Sequence, residues 1–125
     1  MKVGLIDVGG GMRDIFGAGV YEYCLKKGIS FDYAAGVSAG AMNLCLFLSG
    51  KQNVSYRCYT EYGFYKEYMS FNNFIKDHAY ANVGWMMYTV CGPNGYMPMD
   101  FDRILNCGTE FEIVATGAYT GKPFL

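Results

Sequence analysis

Val3 to Val8 is a short, mostly apolar run that stops at Gly9-Gly10-Gly11. Such a run predicts a strand buried on both faces, where a half-exposed strand would alternate. From Ile15 to Lys27 the apolar positions Ile15, Ala18, Tyr21 (or Val20), Cys24 and Leu25 recur at helical spacing. Asp14 stands where an N-cap is useful, and Lys26, Lys27 and Gly28 supply a C-terminal stop. A second short strand, about Tyr33 to Val37, leads into Ser38, and Ala39 to Leu48 reads as a mostly apolar helix ended by Gly50. The order β-α-β-α predicts a parallel sheet with helices packed on it.

The middle of the chain has a different texture. Residues Asn53 to Val90 are rich in Tyr, Phe and Met, and short helices are expected at Asn53–Tyr62, Asn72–Lys76 and Val83–Val90. Cys91-Gly92-Pro93-Asn94-Gly95 is a turn, and Asp100 caps a short helix running to Leu105. Phe111 to Thr116 returns as a strand before a Thr120-Gly121-Lys122-Pro123 turn, and Phe124-Leu125 looks like another strand beginning. With no internal repeat or flexible linker, residues 1–125 read as part of a single domain.

Composition narrows the function classes. The 125 residues are 52% hydrophobic and 18% aromatic, enough apolar surface to offset the entropy lost on folding. Ten Lys and Arg against 11 Asp and Glu leave a net charge of −1, so no basic excess points to nucleic acid. A single histidine, His78, leaves little room for a His-rich metal site, and no metal or cofactor is expected. Its polar setting, Lys76-Asp77-His78, suits a solvated face better than a catalytic base. Asp7 interrupts any signal-peptide core, and Ala41 to Leu48 is too short to span a bilayer. Cys24, Cys45, Cys58, Cys91 and Cys107 form no C-x-x-C and read as reduced thiols. A cytoplasmic protein is the expectation.

Two motifs carry chemistry. Gly36-Val37-Ser38-Ala39-Gly40 is a G-x-S-x-G between a strand and a helix, the context a nucleophile elbow requires. The small neighbours Gly36, Ala39, Gly40 and Ala41 allow the tight turn, and the following helix N-terminus favours negative charge beside Ser38. The blander reading is a helix cap on a glycine-rich loop. Gly9-Gly10-Gly11-Met12-Arg13 follows the first strand directly. Its backbone N–H groups suit either a pyrophosphate or an oxyanion. The sixth position of a dinucleotide fingerprint is Asp14, and the next strand lacks an acidic ribose ligand, so the oxyanion hole is the better reading.

Together these residues resemble the patatin-like phospholipase family, whose signatures are a G-G-G-x-R loop after the first strand, a G-x-S-x-G elbow, and a later Asp-Gly-Gly or Asp-Gly-Ala. Gly17-Ala18-Gly19-Val20 and Val114-Ala115-Thr116 also look like bacterial members. The resemblance implies an α/β, three-layer patatin-like fold, incomplete at the C-terminus, with residues 1–125 as its N-terminal part. It implies a serine lipid acyl hydrolase with Ser38 as nucleophile. Gly9, Gly10, Gly11 and Met12 would form the oxyanion hole, and Arg13 would bind a substrate phosphate or pin the loop. The substrate would be a lipid or other acyl ester.

Two departures accompany the resemblance. Asp14 stands where the family often has glycine, and Val8 where it often has an acidic residue. No Asp in the chain precedes Gly, so the family's catalytic Asp is expected outside this chain. The alternatives are a catalytically inactive truncated domain that keeps lipid binding, and a nucleotide-binding α/β module. The Tyr- and Met-rich stretch is expected either as core or as a lipid-facing lid, with Trp85-Met86-Met87-Tyr88 the segment for peripheral membrane contact. An unfinished sheet would also promote self-association.

Overall fold

The computed structural model describes residues 1–124; Leu125, and with it the end of the last expected strand, lies outside the described residues. β1 (Gly4–Asp7) and β2 (Tyr33–Val37) pair in parallel, with Leu5 opposite Ala34 and Asp7 opposite Gly36. β3 (Glu110–Thr116) adds in parallel to β2, placing Phe111 beside Ala34 and Ile113 beside Gly36. β4 (Pro123–Phe124) folds back antiparallel onto β3, completing the order β1-β2-β3-β4. The architecture is the expected mixed α/β fold built on a mostly parallel sheet.

Alternation decides what each strand presents. Leu5, Ala34 and Phe111 share one side of the sheet and pack with Tyr21 and Cys24 of α1 (Ile15–Lys27) and Leu44, Phe47 and Leu48 of α2 (Ala39–Leu48). One row further along that side come Asp7, Gly36 and Ile113. Ile6 lies on the opposite side and is 71% exposed, and Val8 just beyond is 75% exposed. Among the described residues the first strand is thus covered on one side only, contrary to the two-sided burial its apolar run predicts. Connections of one hand between strands in the order β1-β2-β3 carry their helices to the same side, which an apolar count cannot reveal.

The helices follow their sequence signals closely. Ala18, Tyr21 and Cys24 form the buried stripe of α1, while Ile15 and Val20 face out. Gly28 ends α1 at φ 66° with its N–H donating to Leu25 O, a left-handed cap that suits glycine. α3 (Val54–Thr60), a 3₁₀ turn at Tyr62–Phe64 and α4 (Phe71–Asp77) follow. His78 is exposed at the end of α4. The expected helix at Val83–Val90 is instead a π-helix over Trp85–Val90, closed by an N–H of Cys91 donating to Met86 O at 3.0 Å. α5 (Phe101–Asn106) is capped as expected, the Asp100 carboxylate accepting from Arg103 N–H.

This middle segment builds a second core in which Leu46, Cys58, Tyr62, Met86, Val90, Cys91, Met97 and Met99 meet. The five cysteines are free thiols. No helix among the described residues is long and apolar enough to cross a membrane.

Candidate active site

The turn between β2 and α2 is sharp enough to push Ser38 to φ 56°, ψ −127°. A side chain at positive φ costs about 1–3 kcal/mol and persists only where its surroundings impose it. Two glycines do so here. A Cβ on Gly36 would lie 2.5 Å from Ala41 Cα, so β2 and α2 meet at a distance only glycine permits. A Cβ on Gly40 would lie 2.5 Å from the backbone oxygen of Asp7, which brings the first turn of α2 against the end of β1. Ser38 is exposed, and its side chain makes no capping bond to α2. The helix-cap reading of this serine is therefore not what the geometry shows. Its carbonyl accepts from Ala41 and Met42 N–H at 3.1 and 3.4 Å, starting α2 directly behind the serine.

The glycine loop packs on this turn. Gly9, Gly10 and Gly11 have φ of 69°, 146° and 60°, conformations open to glycine. A Cβ on Gly9 would come within 2.4 Å of Val37 O and about 3 Å of the Ala39 and Gly40 nitrogens, so the two sequence motifs are in contact. One expectation needs correction. The Gly9 N–H donates to Asp7 Oδ1 at 2.9 Å and is not free to face an oxyanion, which leaves Gly10, Gly11 and Met12 as the candidate donors. Arg13 is exposed and lies along Gly10, its Nε 3.9 Å from where a Cβ would stand, and its own N–H closes the loop on Gly10 O at 3.3 Å.

Ser38, Gly11 and Met12 open into one cavity of about 480 Å³, within the range of small-molecule sites. Its walls are mostly apolar: Met42 and Cys45 from α2, Met86 and Met87 from the π-helix, Val83, and Ile113 from β3. Burial pushes the Cys45 thiol up to about 11, so it stays protonated and acts as part of that wall. Within the Tyr- and Met-rich stretch, Met86 belongs to the second core and also lines the cavity.

A buried polar network adjoins the glycine loop. Asp7 Oδ2 accepts from Tyr21 OH at 2.6 Å. Asn43 Nδ2 donates to Asp14 Oδ2 and to Asp14 O, at 2.9 and 3.0 Å, and Asn43 Oδ1 accepts from Ser55 Oγ at 2.6 Å. Asp14 stands at the N-cap position of α1 but caps nothing with its side chain; Asn43 holds its carboxylate inward instead. Burial first, and then the charge of Asp7, lift the Asp14 carboxyl to about 6 against the opposing Asn43 bond. Burial also raises the Tyr21 and Tyr59 phenols, reinforced at Tyr21 by its bond to Asp7 and at Tyr59 by the charge of Asp14. The roles of Asp7 and Asn43 are missed by motif reading. Their signal was available as two polar residues interrupting otherwise apolar elements.

Comparison with known proteins gives the family. The chain matches the patatin-like phospholipase family over residues 8–105. It is 26% identical over 118 residues to the uncharacterized protein YjjU of Escherichia coli, covering 91% of this chain and 32% of that relative. The chain thus spans about a third of the length of the curated relative it matches. No solved structure matches it. The glycine loop, the strained serine turn and the family match converge: the chain belongs to the patatin-like phospholipase family.

Proposed function

We propose that this chain carries the nucleophile and oxyanion-binding parts of a serine lipid acyl hydrolase. Ser38 attacks an acyl ester carbonyl, and N–H groups of Gly10, Gly11 and Met12 hold the resulting oxyanion. The intermediate collapses by breaking the ester C–O bond so that the alcohol leaves with the proton given up by Ser38, and water hydrolyses the acyl-enzyme to the free acid. The observation that carries this reading is the positive φ of an exposed Ser38 lining a mostly apolar cavity shared with Gly11 and Met12. An acyl chain suits such walls, and burying each CH₂ contributes about 0.8 kcal/mol. The activating base in this reading is an aspartate of the family's Asp-Gly motif, outside the sequence described. Asp7 and Asp14 are poor candidates, because Gly9 and Tyr21 already donate to the first and Asn43 to the second. Arg13 braces the loop along Gly10 and presents its exposed guanidinium to a substrate phosphate. Tyr88, 81% exposed on the π-helix near the cavity wall, is the aromatic side chain suited to peripheral contact with a lipid boundary.

A fluorophosphonate probe tests the proposal on the intact gene product. Covalent labelling that is abolished in Ser38→Ala is the expected result. Labelling that survives Ser38→Ala, or a wild-type protein that takes no label, overturns it.

A further inference from the structure

Asp7 is a buried carboxylate, and among the described residues the only ion pair is Arg57–Glu61, so no Lys or Arg neutralises it. Burying an unpaired charge is costly unless hydrogen bonds and dipoles replace water. Three features do this for Asp7. Oδ1 accepts from Gly9 N–H in the glycine loop, and Oδ2 accepts from Tyr21 OH in α1. Oδ1 also lies against Gly40, where a Cβ would stand 2.5 Å from it, at the positive end of the ten-residue α2. The carboxylate therefore touches the loop, the first turn behind Ser38 and the helix between them.

We infer that Asp7 is a positioning residue that sets the glycine loop against the Ser38 turn. By taking the Gly9 N–H from behind, it fixes the first peptide of the loop and directs the candidate donor role to the amides that follow. Tyr21 holds the carboxylate from the far side, so the loop inherits the rigidity of α1. An apolar side chain of similar size would fill the space but offer no acceptor to Gly9. The catalytic part of this inference rests on the hydrolase reading; the structural part, that Asp7 orders the loop, does not.

The experiment compares Asp7→Leu, Asp7→Asn and Tyr21→Phe with the wild-type full chain, in two measurements. The first is the rate of fluorophosphonate labelling. Misplacement by about 1 Å near a reacting centre costs on the order of 100-fold, so Asp7→Leu is expected to label about 100-fold more slowly. Asp7→Asn keeps an oxygen for Gly9 and is expected to recover to within about tenfold of wild type. Tyr21→Phe, which preserves the packing, should slow by only a few-fold. The second measurement is amide hydrogen exchange, read without reference to activity. Asp7→Leu is expected to speed exchange across Gly9–Met12 while leaving the protected amides around Leu44 and Leu46 unchanged, which separates loop loosening from global unfolding. Unchanged exchange at Gly9–Met12 in Asp7→Leu overturns the inference, whether or not the protein labels. Equal labelling of wild type and Asp7→Leu overturns its catalytic part. A wild type that does not label, with the loop loosened in Asp7→Leu, refutes the hydrolase reading and leaves Asp7 as the residue that orders the loop.

Discussion

The strain at Ser38, of about 1–3 kcal/mol, is sustained by contacts that leave no space for a methyl group at Gly36 or Gly40. These two glycines serve close approach, since neither has positive φ. A paired substitution tests this at single-residue resolution. Gly40→Ala would drive a Cβ into the Asp7 backbone oxygen, and overpacking of that kind costs about 1–3 kcal/mol. Gly19→Ala in the middle of α1 meets nothing within 4 Å, and replacing a helical glycine with alanine stabilises by about 0.5–1 kcal/mol. Urea unfolding should therefore move the two midpoints in opposite directions, and midpoints moving together would refute the close-approach argument. At this scale the motifs were highly legible, because G-x-S-x-G and G-G-G-x-R encode steric demands in residue identity. Asp7 and Asn43 were less so: a lone polar residue in an apolar run announces a buried partner without saying which.

At the scale of elements, legibility followed the strength of local signals. α2 runs from Ala39 to Leu48, and α1 from Ile15 to Lys27, as spacing and stop residues predict. The π-helix at Trp85–Val90 was not legible, since its apolar positions fit an α-helical period equally well and i→i+5 bonding, as from Cys91 N–H to Met86 O, is what distinguishes it. That element and α2 both line the cavity, through Met86, Met87 and Met42. Filling the space between them should therefore discriminate by ligand length. Met42→Trp is expected to slow labelling by a long-alkyl fluorophosphonate about tenfold relative to a short-alkyl one, since a few lost methylene contacts in an apolar pocket are worth about 1–3 kcal/mol. An equal effect on both probes would mean that the acyl group does not occupy this cavity.

For the molecule as a whole, the sequence announced parallel strands with packed helices but not which side of the sheet they cover, because that depends on connection handedness. The same arrangement puts β1, α1, α2 and α3 around one buried polar network, so the protonation of Asp14 is felt by the fold as a unit. Its carboxyl is raised from the ordinary 3.8 to about 6 by burial and by Asp7, so the folded state holds this proton more tightly than the unfolded chain. Between those two pH values the folded state binds more protons, and stability must fall as pH rises. The contribution is fully present below about pH 4 and is lost once the pH passes about 6. Asp14→Asn keeps an oxygen for the Asn43 amide and removes the charge. Its melting temperature should change little relative to wild type at pH 4 but exceed wild type at pH 7, by the equivalent of about 1–2 kcal/mol once solvent screening beside the loop is allowed for. Because Asp7, Tyr21 and Tyr59 stay in place in that variant, a stability difference that does not grow between pH 4 and 7 would assign the titration to another group and remove Asp14 from the network's energetics.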